Sequence, residues 1–280
     1  MPTIHLPEVQ LYYEQAGAGP PIVLVHEFSG SCRSWSRQVE ALRPRCTVVT
    51  YNCRGYPPSS VPTDPALYSQ EHSVRDLLGL LDALGIAAAA VGGFSMGGGI
   101  ALAFALDHPD RVRALVLAGT GTGSDGRGEF IREYGPIADR LESAGPRAVF
   151  EEFYPRMATR TPLLRKSPER WTELREEFAG LSGPGLARTL RGVQFKRPTV
   201  YALEPRLRTL HIPTLILVGE EDVPALAPSR FLHSAIPGSR LEVFPATGHT
   251  LNLEEPDRFN GAVLEFLAEV EAKRSHREGR

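Results

Sequence analysis

The chain has 280 residues, and its 31 lysine and arginine side chains nearly balance 33 aspartate and glutamate side chains, which leaves a formal net charge of −2. This balance argues against nucleic acid and anionic membranes as partners, because both select basic proteins, and it favours a small-molecule partner. The first residues lack the basic segment and apolar core of a secretion signal, and no apolar run approaches membrane-spanning length, so we expect a cytoplasmic protein.

Apolar runs bounded by turn residues alternate with helical periodicity along most of the chain. The alternation predicts an α/β fold in which a mostly parallel sheet is covered by helices on both faces. The predicted strands are VQLYYEQ, PIVLVHE, CTVVTYN, AAAAVGGF, RALVLAG, PTLILVGE and SRLEVFP. Helices are predicted over about residues 69–84, from Met96 to Pro109, and from Pro256 onward.

The alternation stops between residues 123 and 205. This stretch is rich in charge, proline and glycine, and it contains helical segments such as PIADRLESAG and RWTELREEFAGL but no convincing buried strand. Long excursions from a compact domain are commonly functional. We therefore predict a helical cap at 123–205, inserted into a core of residues 1–122 and 206–280, with a second small domain of no catalytic role as the alternative. Most aromatic residues of the stretch are expected to form the cap's own core, and the alternative is that they line an apolar pocket. They are Phe130, Tyr134, Phe153, Tyr154 and Trp171.

The segment GGFSMGGG, residues 92–99, follows a predicted strand and precedes a predicted helix. A flexible linker would repeat glycine and serine in polar surroundings, whereas this run has apolar sequence on both sides. A sharp strand-to-helix turn strains its central residue and crowds the positions two before and two after it, so those positions must be small. Gly93 and Gly97 meet this need. The turn would present the Ser95 hydroxyl at the carboxyl end of the sheet and the Met96 N–H at a helix N-terminus.

The pentapeptide GFSMG resembles the Gly-x-Ser-x-Gly nucleophile elbow of the α/β-hydrolase superfamily, and the resemblance covers nearly the whole chain. It implies the α/β-hydrolase fold and a triad in the order serine, acid, histidine. Ser95 would be the nucleophile. Asp222 would be the acid, because it follows the strand PTLILVGE in a Gly-x-x-Asp setting, and His249 would be the base in a Gly-His turn before the last helix. Glu220 and Glu221 precede Asp222 and stay open as alternative acids.

The same resemblance implies an oxyanion hole made by the Met96 N–H and an N–H from the loop after the strand PIVLVHE. Where the family commonly has His-Gly-x, this chain has His26-Glu27-Phe28. The Phe28 N–H would be the second donor, although glutamate replaces a conformationally free glycine beside it. Two interpretations of Glu27 are open. Its side chain could pair with an arginine such as Arg54, or it could sit in the pocket with a raised pKa and position water or a substrate hydroxyl.

The resemblance implies a serine hydrolase that cleaves a small-molecule ester or lactone through an acyl-enzyme. Hydrolysis of a carbon–carbon bond, or perhydrolysis, on the same triad is an alternative. A further alternative is a non-catalytic hydrolase-fold protein that binds a ligand, because Glu27 could disable the oxyanion hole. The sequence leaves the oligomeric state open.

We expect neither a cofactor nor a metal. Residues 121–126, GTGSDG, have the Gly-x-Gly-x-x-Gly spacing, but a dinucleotide-binding loop would lead within about thirty residues to a second parallel strand, and none is predicted there. The three cysteines, Cys32, Cys46 and Cys53, lack a paired metal-ligand spacing, and their odd number argues against a disulfide framework. They are predicted to be reduced thiols.

Overall fold

The fold is built around an eight-stranded sheet. The computed structural model describes residues 2–278, with side chains through residue 274. The strands are β1 (Thr3–Leu6), β2 (Val9–Ala16), β3 (Pro21–Val25), β4 (Thr47–Tyr51), β5 (Ala89–Phe94), β6 (Val112–Ala118), β7 (Thr214–Gly219) and β8 (Arg240–Phe244). Their order is β1-β2-β4-β3-β5-β6-β7-β8. β2 is antiparallel to both of its neighbours, and the other pairs are parallel, so the predicted mostly parallel sheet is confirmed.

The central strands are buried on both faces, as their continuous apolar sequences predict. Every residue of β5 and of β7 is buried. The register pairs Val25 of β3 with Gly93 of β5, and Phe94 of β5 with Ala118 of β6. The carboxyl ends of these strands therefore lie side by side, at the edge where open parallel sheets bind their ligands.

Helices cover both faces of the sheet and close two separate core layers. The helices on one face are α1 (Ser36–Leu42) and α11 (Pro256–Glu278), and those on the other are α2 (Gln70–Ala83), α3 (Met96–Asp107) and α9 (Val223–Ala235). Phe259 of α11 belongs to the first layer, whereas Leu77 of α2 and Ile100 of α3 belong to the second. None of the helices within residues 2–278 has the length and apolar character needed to span a membrane.

The chain between β6 and β7 contains helices and, within residues 119–213, no strand. Its helices are α4 (Arg127–Phe153), α5 (Thr161–Lys166), α6 (Pro168–Ala179), α7 (Gly183–Thr189) and α8 (Glu204–Leu207), and α10 (Leu251–Glu254) precedes α11. The backbone of α4 is bent at Gly145, which has a φ of 81°. Phe150 packs against Trp171, with ring centroids 5.0 Å apart, inside the insertion. The boundaries 123–205 of the cap stay a prediction.

Candidate active site

Ser95 occupies the turn between β5 and α3. Its φ is 53° and its ψ is −108°, a conformation that costs about 1–3 kcal/mol for a residue with a side chain and is concentrated at functional sites. A Cβ atom at Gly93 would lie 2.1 Å from the carbonyl oxygen of Gly97, and a Cβ atom at Gly97 would lie 2.1 Å from the carbonyl oxygen of Val25. Both glycines are therefore required by backbone that approaches them closely.

Ser95, His249 and Asp222 form a continuous hydrogen-bonded chain. The Ser95 hydroxyl donates to His249 Nε2 at 2.9 Å, and His249 Nδ1–H donates to Asp222 Oδ2 at 2.6 Å. Asp222 is 1% exposed and His249 is 7% exposed. Because the carboxylate can only accept, it keeps the imidazole proton on Nδ1 and leaves Nε2 free to take the serine proton. This is the hydrogen-bond order that a serine nucleophile and its general base would need.

The loops that carry Asp222 and His249 are fixed by their own contacts. Asp222 lies directly before α9, whose first residue is Val223. The His249 N–H donates to the carbonyl oxygen of Thr159 in the insertion at 2.8 Å. Glu254 of α10 accepts hydrogen bonds from the backbone N–H groups on either side of His249, at 2.8 and 3.1 Å. The imidazole is thus held by the core and by the insertion together.

The two alternative acids point elsewhere. Glu220 Oε2 accepts from the Ala246 N–H at 3.2 Å, and Glu221 forms a surface ion pair with Arg165 at 2.9 Å. Among the three acidic residues after β7, Asp222 is the one in contact with the imidazole. The structure brings Ser95, Asp222 and His249 together, and their catalytic roles stay predictions.

Two backbone N–H groups beside the serine hydroxyl are available as donors. The N–H groups of Phe28 and Met96 donate to no other group of the described residues. Phe28 and Ser95 line the same cavity, and Met96 opens α3, where the helix dipole favours negative charge. The Tyr56 hydroxyl donates to the Phe28 carbonyl oxygen at 3.0 Å and holds this loop in place. Two such donors can stabilise an oxyanion.

His26 sets the orientation of the peptide that joins Glu27 to Phe28. Its Nδ1–H donates to the Glu27 carbonyl oxygen at 2.7 Å, and its Nε2 accepts from the Cys53 N–H at 3.0 Å. Burial lowers the pKa of His26 to about 4, so the ring is neutral at pH 7 and keeps both bonds. Because the trans peptide is planar, a carbonyl directed at His26 turns the Phe28 N–H to the opposite side.

The Glu27 side chain is not among those that line the cavity at the nucleophile. It is 1% exposed, its Oε1 accepts from the Ser34 hydroxyl at 3.0 Å, and its Oε2 has no hydrogen-bond partner among the described residues. Burial, reinforced by Glu177, raises the pKa of Glu27 to about 7. The interpretation that places Glu27 in the pocket is therefore wrong, although the raised pKa that it included is present. The alternative pairing with Arg54 is also wrong, because Arg54 binds Asp76 through two hydrogen bonds of 2.6 Å.

A cavity lies above Ser95, between the sheet edge and the insertion. Its core wall contains Phe28, Ser95, Asp222 and His249, and the remaining walls belong mainly to the insertion. Insertion residues in those walls include Phe130, Tyr134, Tyr154, Arg160, Gln194 and Arg197. Phe130, Tyr134 and Tyr154 thus line the cavity. Tyr154 and Trp171 also belong to the hydrophobic core, and Tyr134 and Phe153 pack against it. The expectation that most of these aromatic residues form the cap's own core stays a prediction.

Two buried arginines bring positive charge to this cavity. Arg160 is 8% exposed; its Nη2 donates to the Ser29 hydroxyl oxygen at 3.3 Å, while its buried Nη1 has no partner among the described residues. Arg197 Nη2 donates to the Thr122 carbonyl oxygen at 2.9 Å. Burial lowers the pKa of Arg197 to about 10, which still leaves it protonated at pH 7. Neither residue was predicted from the sequence, since no local motif marks either of them.

The remaining motifs do not build a second chemical site. Residues 121–126 lead into α4, and the next strand, β7, begins only at Thr214, so the dinucleotide-binding alternative lacks its second strand. The three cysteines are free and buried. Burial raises the pKa of Cys32 and of Cys53 to about 12, far from that of a reactive thiolate. Within the described side chains, no group of three or more His, Cys, Asp or Glu residues could hold a metal ion.

Comparison with known proteins agrees with this architecture. The family model described as alpha/beta hydrolase fold matches residues 20–256. The 2-hydroxymuconate semialdehyde hydrolase of Pseudomonas putida is 32% identical over 273 residues, which cover 92% of this chain and 91% of that protein.

Two solved structures resemble the chain over almost their full length. The enol-lactonase from Burkholderia xenovorans LB400 has a TM-score of 0.84 at 29% identity, covering 95% of this chain and 100% of that one. The thermophilic esterase from Thermogutta terrifontis, with malate bound, has a TM-score of 0.84 at 32% identity, covering 96% and 97%. The expected fold and the expectation of a hydrolase enzyme are both confirmed. The chain belongs to the alpha/beta hydrolase family.

Proposed function

We propose that the protein is a serine hydrolase that cleaves a small-molecule ester or lactone. The observation that carries the proposal is the unbroken contact from Ser95 through His249 to Asp222, at 2.9 and 2.6 Å. The two partnerless N–H groups of Phe28 and Met96 support it, because they supply the donors that acyl transfer needs.

The chemistry follows from these positions. His249 Nε2 takes the proton of the Ser95 hydroxyl as its oxygen attacks the substrate carbonyl, and Asp222 stabilises the imidazolium that forms. The N–H groups of Phe28 and Met96 bind the negative oxygen of the tetrahedral intermediate. Its collapse transfers the proton from His249 to the leaving alkoxide and leaves an acyl group on Ser95. Water then attacks the acyl-enzyme with His249 again as base.

We further propose that the preferred substrate carries a carboxylate near the scissile bond. Arg160 and Arg197 line the cavity, neither forms an ion pair within the described residues, and the buried Arg160 Nη1 has no hydrogen-bond partner among them. A buried guanidinium N–H without an acceptor costs free energy, and a substrate carboxylate would remove that cost. The names of two relatives agree with this class, because muconate semialdehyde is a carboxylate and malate is a dicarboxylate.

The first prediction concerns the nucleophile. Ser95→Ala should abolish turnover of short-chain chromogenic esters and leave the circular dichroism spectrum and the melting temperature close to wild type, because only one oxygen is lost. A serine-directed phosphonate should add one adduct to the wild-type chain, located at Ser95 by peptide mass spectrometry. An adduct on another residue, or unaltered turnover by the variant, would refute the assignment.

The second prediction concerns substrate charge. Arg160→Gln should lower kcat/KM for a monoester of a dicarboxylic acid by roughly 10- to 100-fold relative to the matching neutral diester, because a hydrogen bond to a charged group is lost. Arg165→Gln is the matched control, since Arg165 belongs to the same insertion but forms a surface ion pair with Glu221. It should leave the ratio unchanged. Equal losses for both substrates in the Arg160 variant would contradict the proposal.

A substrate panel separates the bond types that the same side chains could cleave. It should contain neutral and carboxylated esters, lactones and ring-cleavage diketones, each assayed with the Ser95→Ala control. Hydrolysis confined to the diketones would replace the ester or lactone assignment with carbon–carbon bond hydrolysis.

A further inference from the structure

Two carboxyl groups meet where the insertion touches the loop that carries Phe28. Glu27 belongs to that loop, and Glu177 reaches it from α6. Glu27 Oε1 accepts from the Ser34 hydroxyl at 3.0 Å, and the same hydroxyl lies 3.5 Å from Glu177 Oε1. Glu177 Oε1 also accepts from the Ser31 hydroxyl at 2.5 Å. The two carboxyl groups therefore converge on a single bridging hydroxyl.

The two carboxyl groups have fewer hydrogen-bond donors around them than two ionised carboxylates would need. The Ser34 hydroxyl has one hydrogen and can donate to only one carboxyl group at a time. Glu27 Oε2 is buried without a partner. Neither Glu27 nor Glu177 forms an ion pair with any side chain in residues 2–274. Glu27 is buried and Glu177 is half-buried, and two ionised carboxylates at this place, with no ion pair to either, would repel each other.

The surroundings favour a protonated form of the pair. Burial raises the pKa of Glu27 to about 7 and raises the pKa of Glu177 as well. Arg160 acts on Glu27, and Arg33 acts on Glu177, in the opposite direction, but both effects are smaller than that of burial. The other titratable groups that sense the pair are Cys32, Tyr56 and Tyr154. Burial raises the pKa of each of these groups, so they are neutral at pH 7.

The pair is coupled through the backbone to the loop that carries Glu27 and Phe28, which we call the oxyanion loop. The carbonyl end of Glu27 is fixed by His26, at 2.7 Å, and its carboxyl end by Ser34. The next residue is Phe28, whose ring packs against Phe178 of α6 with centroids 6.5 Å apart. A displacement of α6 or of the Glu27 side chain would therefore move the peptide that carries the Phe28 N–H.

We infer that Glu27 and Glu177 share one proton, and that this protonated pair attaches α6 to the oxyanion loop and positions the Phe28 N–H. The inference rests on the proposed serine-hydrolase function. Both are positioning residues, because neither lines the cavity at Ser95. A group whose pKa is raised in the folded protein keeps its proton at low pH and loses it as the pH rises through the raised value. Removing the shared proton would leave two negative charges on either side of the Ser34 hydroxyl and displace the loop.

The third prediction is a pH profile. In wild type, kcat for a chromogenic ester should fall by roughly an order of magnitude between about pH 7 and about pH 9, with little change in KM, which is less than the hundredfold or more lost when an oxyanion donor is removed. In Glu177→Gln this basic limb should disappear, because the amide does not ionise and donates an N–H to the remaining carboxylate. Glu27→Gln should flatten the profile in the same way.

The matched control is Glu176→Gln. Glu176 is the neighbour of Glu177 on α6 but pairs with Arg147 at the surface, so the basic limb should persist. A basic limb that persists in Glu177→Gln, or its absence in wild type, would overturn the inference.

An infrared titration of the carboxyl groups provides a readout that does not depend on turnover. Wild type and Glu176→Gln should show one protonated carboxyl that titrates with the limb in kcat, and both Glu27→Gln and Glu177→Gln should lack a group that titrates at this pH. Wild type with all carboxyl groups ionised at about pH 6 would overturn the shared proton. If instead wild type is as inactive as Ser95→Ala, the proposed function fails, and the titration still reports on the pair.

Discussion

The carbonyl oxygen of Gly97 occupies the space where a side chain at Gly93 would begin. The separation of 2.1 Å from an ideal Cβ leaves no room for a methyl group, and the obstacle is backbone that cannot rotate away. Gly261 on α11 is the opposite case, since no heavy atom lies within 4 Å of its ideal Cβ position. Gly93 is therefore required because backbone approaches it closely, whereas Gly261 has free space where a side chain would lie.

The fourth prediction tests this difference. Gly93→Ala should lower the free energy of unfolding by about 3 kcal/mol or more, because the strand and the helix must separate to admit the methyl group. Gly261→Ala should raise it by about 0.5–1 kcal/mol, because alanine favours a helix more than glycine does. Urea denaturation followed by circular dichroism measures both. Equal stability of the two variants would show that the turn is less crowded than its geometry indicates.

Between elements, one buried ion pair joins the loop after β4 to α2. Arg54 and Asp76 have side chains that are 3% and 5% exposed, and they share two hydrogen bonds of 2.6 Å. Arg54 also donates to the Leu67 carbonyl oxygen at 2.5 Å. Breaking such a pair leaves a buried charge uncompensated, whereas breaking a surface pair does not.

The fifth prediction compares two aspartates of α2. Asp76→Asn should lower the free energy of unfolding by about 3–5 kcal/mol. Asp82→Asn breaks the pair with Arg111, in which the aspartate side chain is 58% exposed, and should cost less than about 1 kcal/mol. Thermal unfolding of both variants gives the comparison. A cost for Asp76→Asn as small as that for Asp82→Asn would mean that water reaches Arg54 in the folded state.

Across the whole molecule, the sequence predicted the strands and helices that continuous runs or periodic patterns of apolar residues specify. The apolar runs predicted seven of the eight strands, and the helical periodicity predicted α2, α3 and α11. β1 was missed because TIHL is a four-residue edge strand with one buried residue, which gives too short a pattern. The chain order of Ser95, Asp222 and His249 was enough to place them at one sheet edge, because each follows a parallel strand.

Contacts between the insertion and the core could not be predicted in this way. Glu27 and Glu177 come together although they are 150 positions apart in the sequence, and Arg160 reaches the cavity only because α4 and α5 fold over the sheet edge. Neither contact corresponds to a periodicity or to a motif spacing in the sequence. One interpretation paired Glu27 with an arginine such as Arg54, whereas tertiary packing places Arg54 against Asp76.

The hydrogen bond from the His249 backbone N–H to the Thr159 carbonyl oxygen restricts how a substrate can enter the cavity. It also restricts how enzymes of this kind can be re-engineered. If the entire insertion moved as a rigid body, the buried N–H of His249 would lose its acceptor, at a cost of about 1–3 kcal/mol. Admission of substrate is therefore cheaper through local bending of α4, ahead of Thr159, than through a hinge at the insertion's two ends. By the same reasoning, a chimera that exchanges the insertion for a foreign one must supply a carbonyl at this point to keep the imidazole in register.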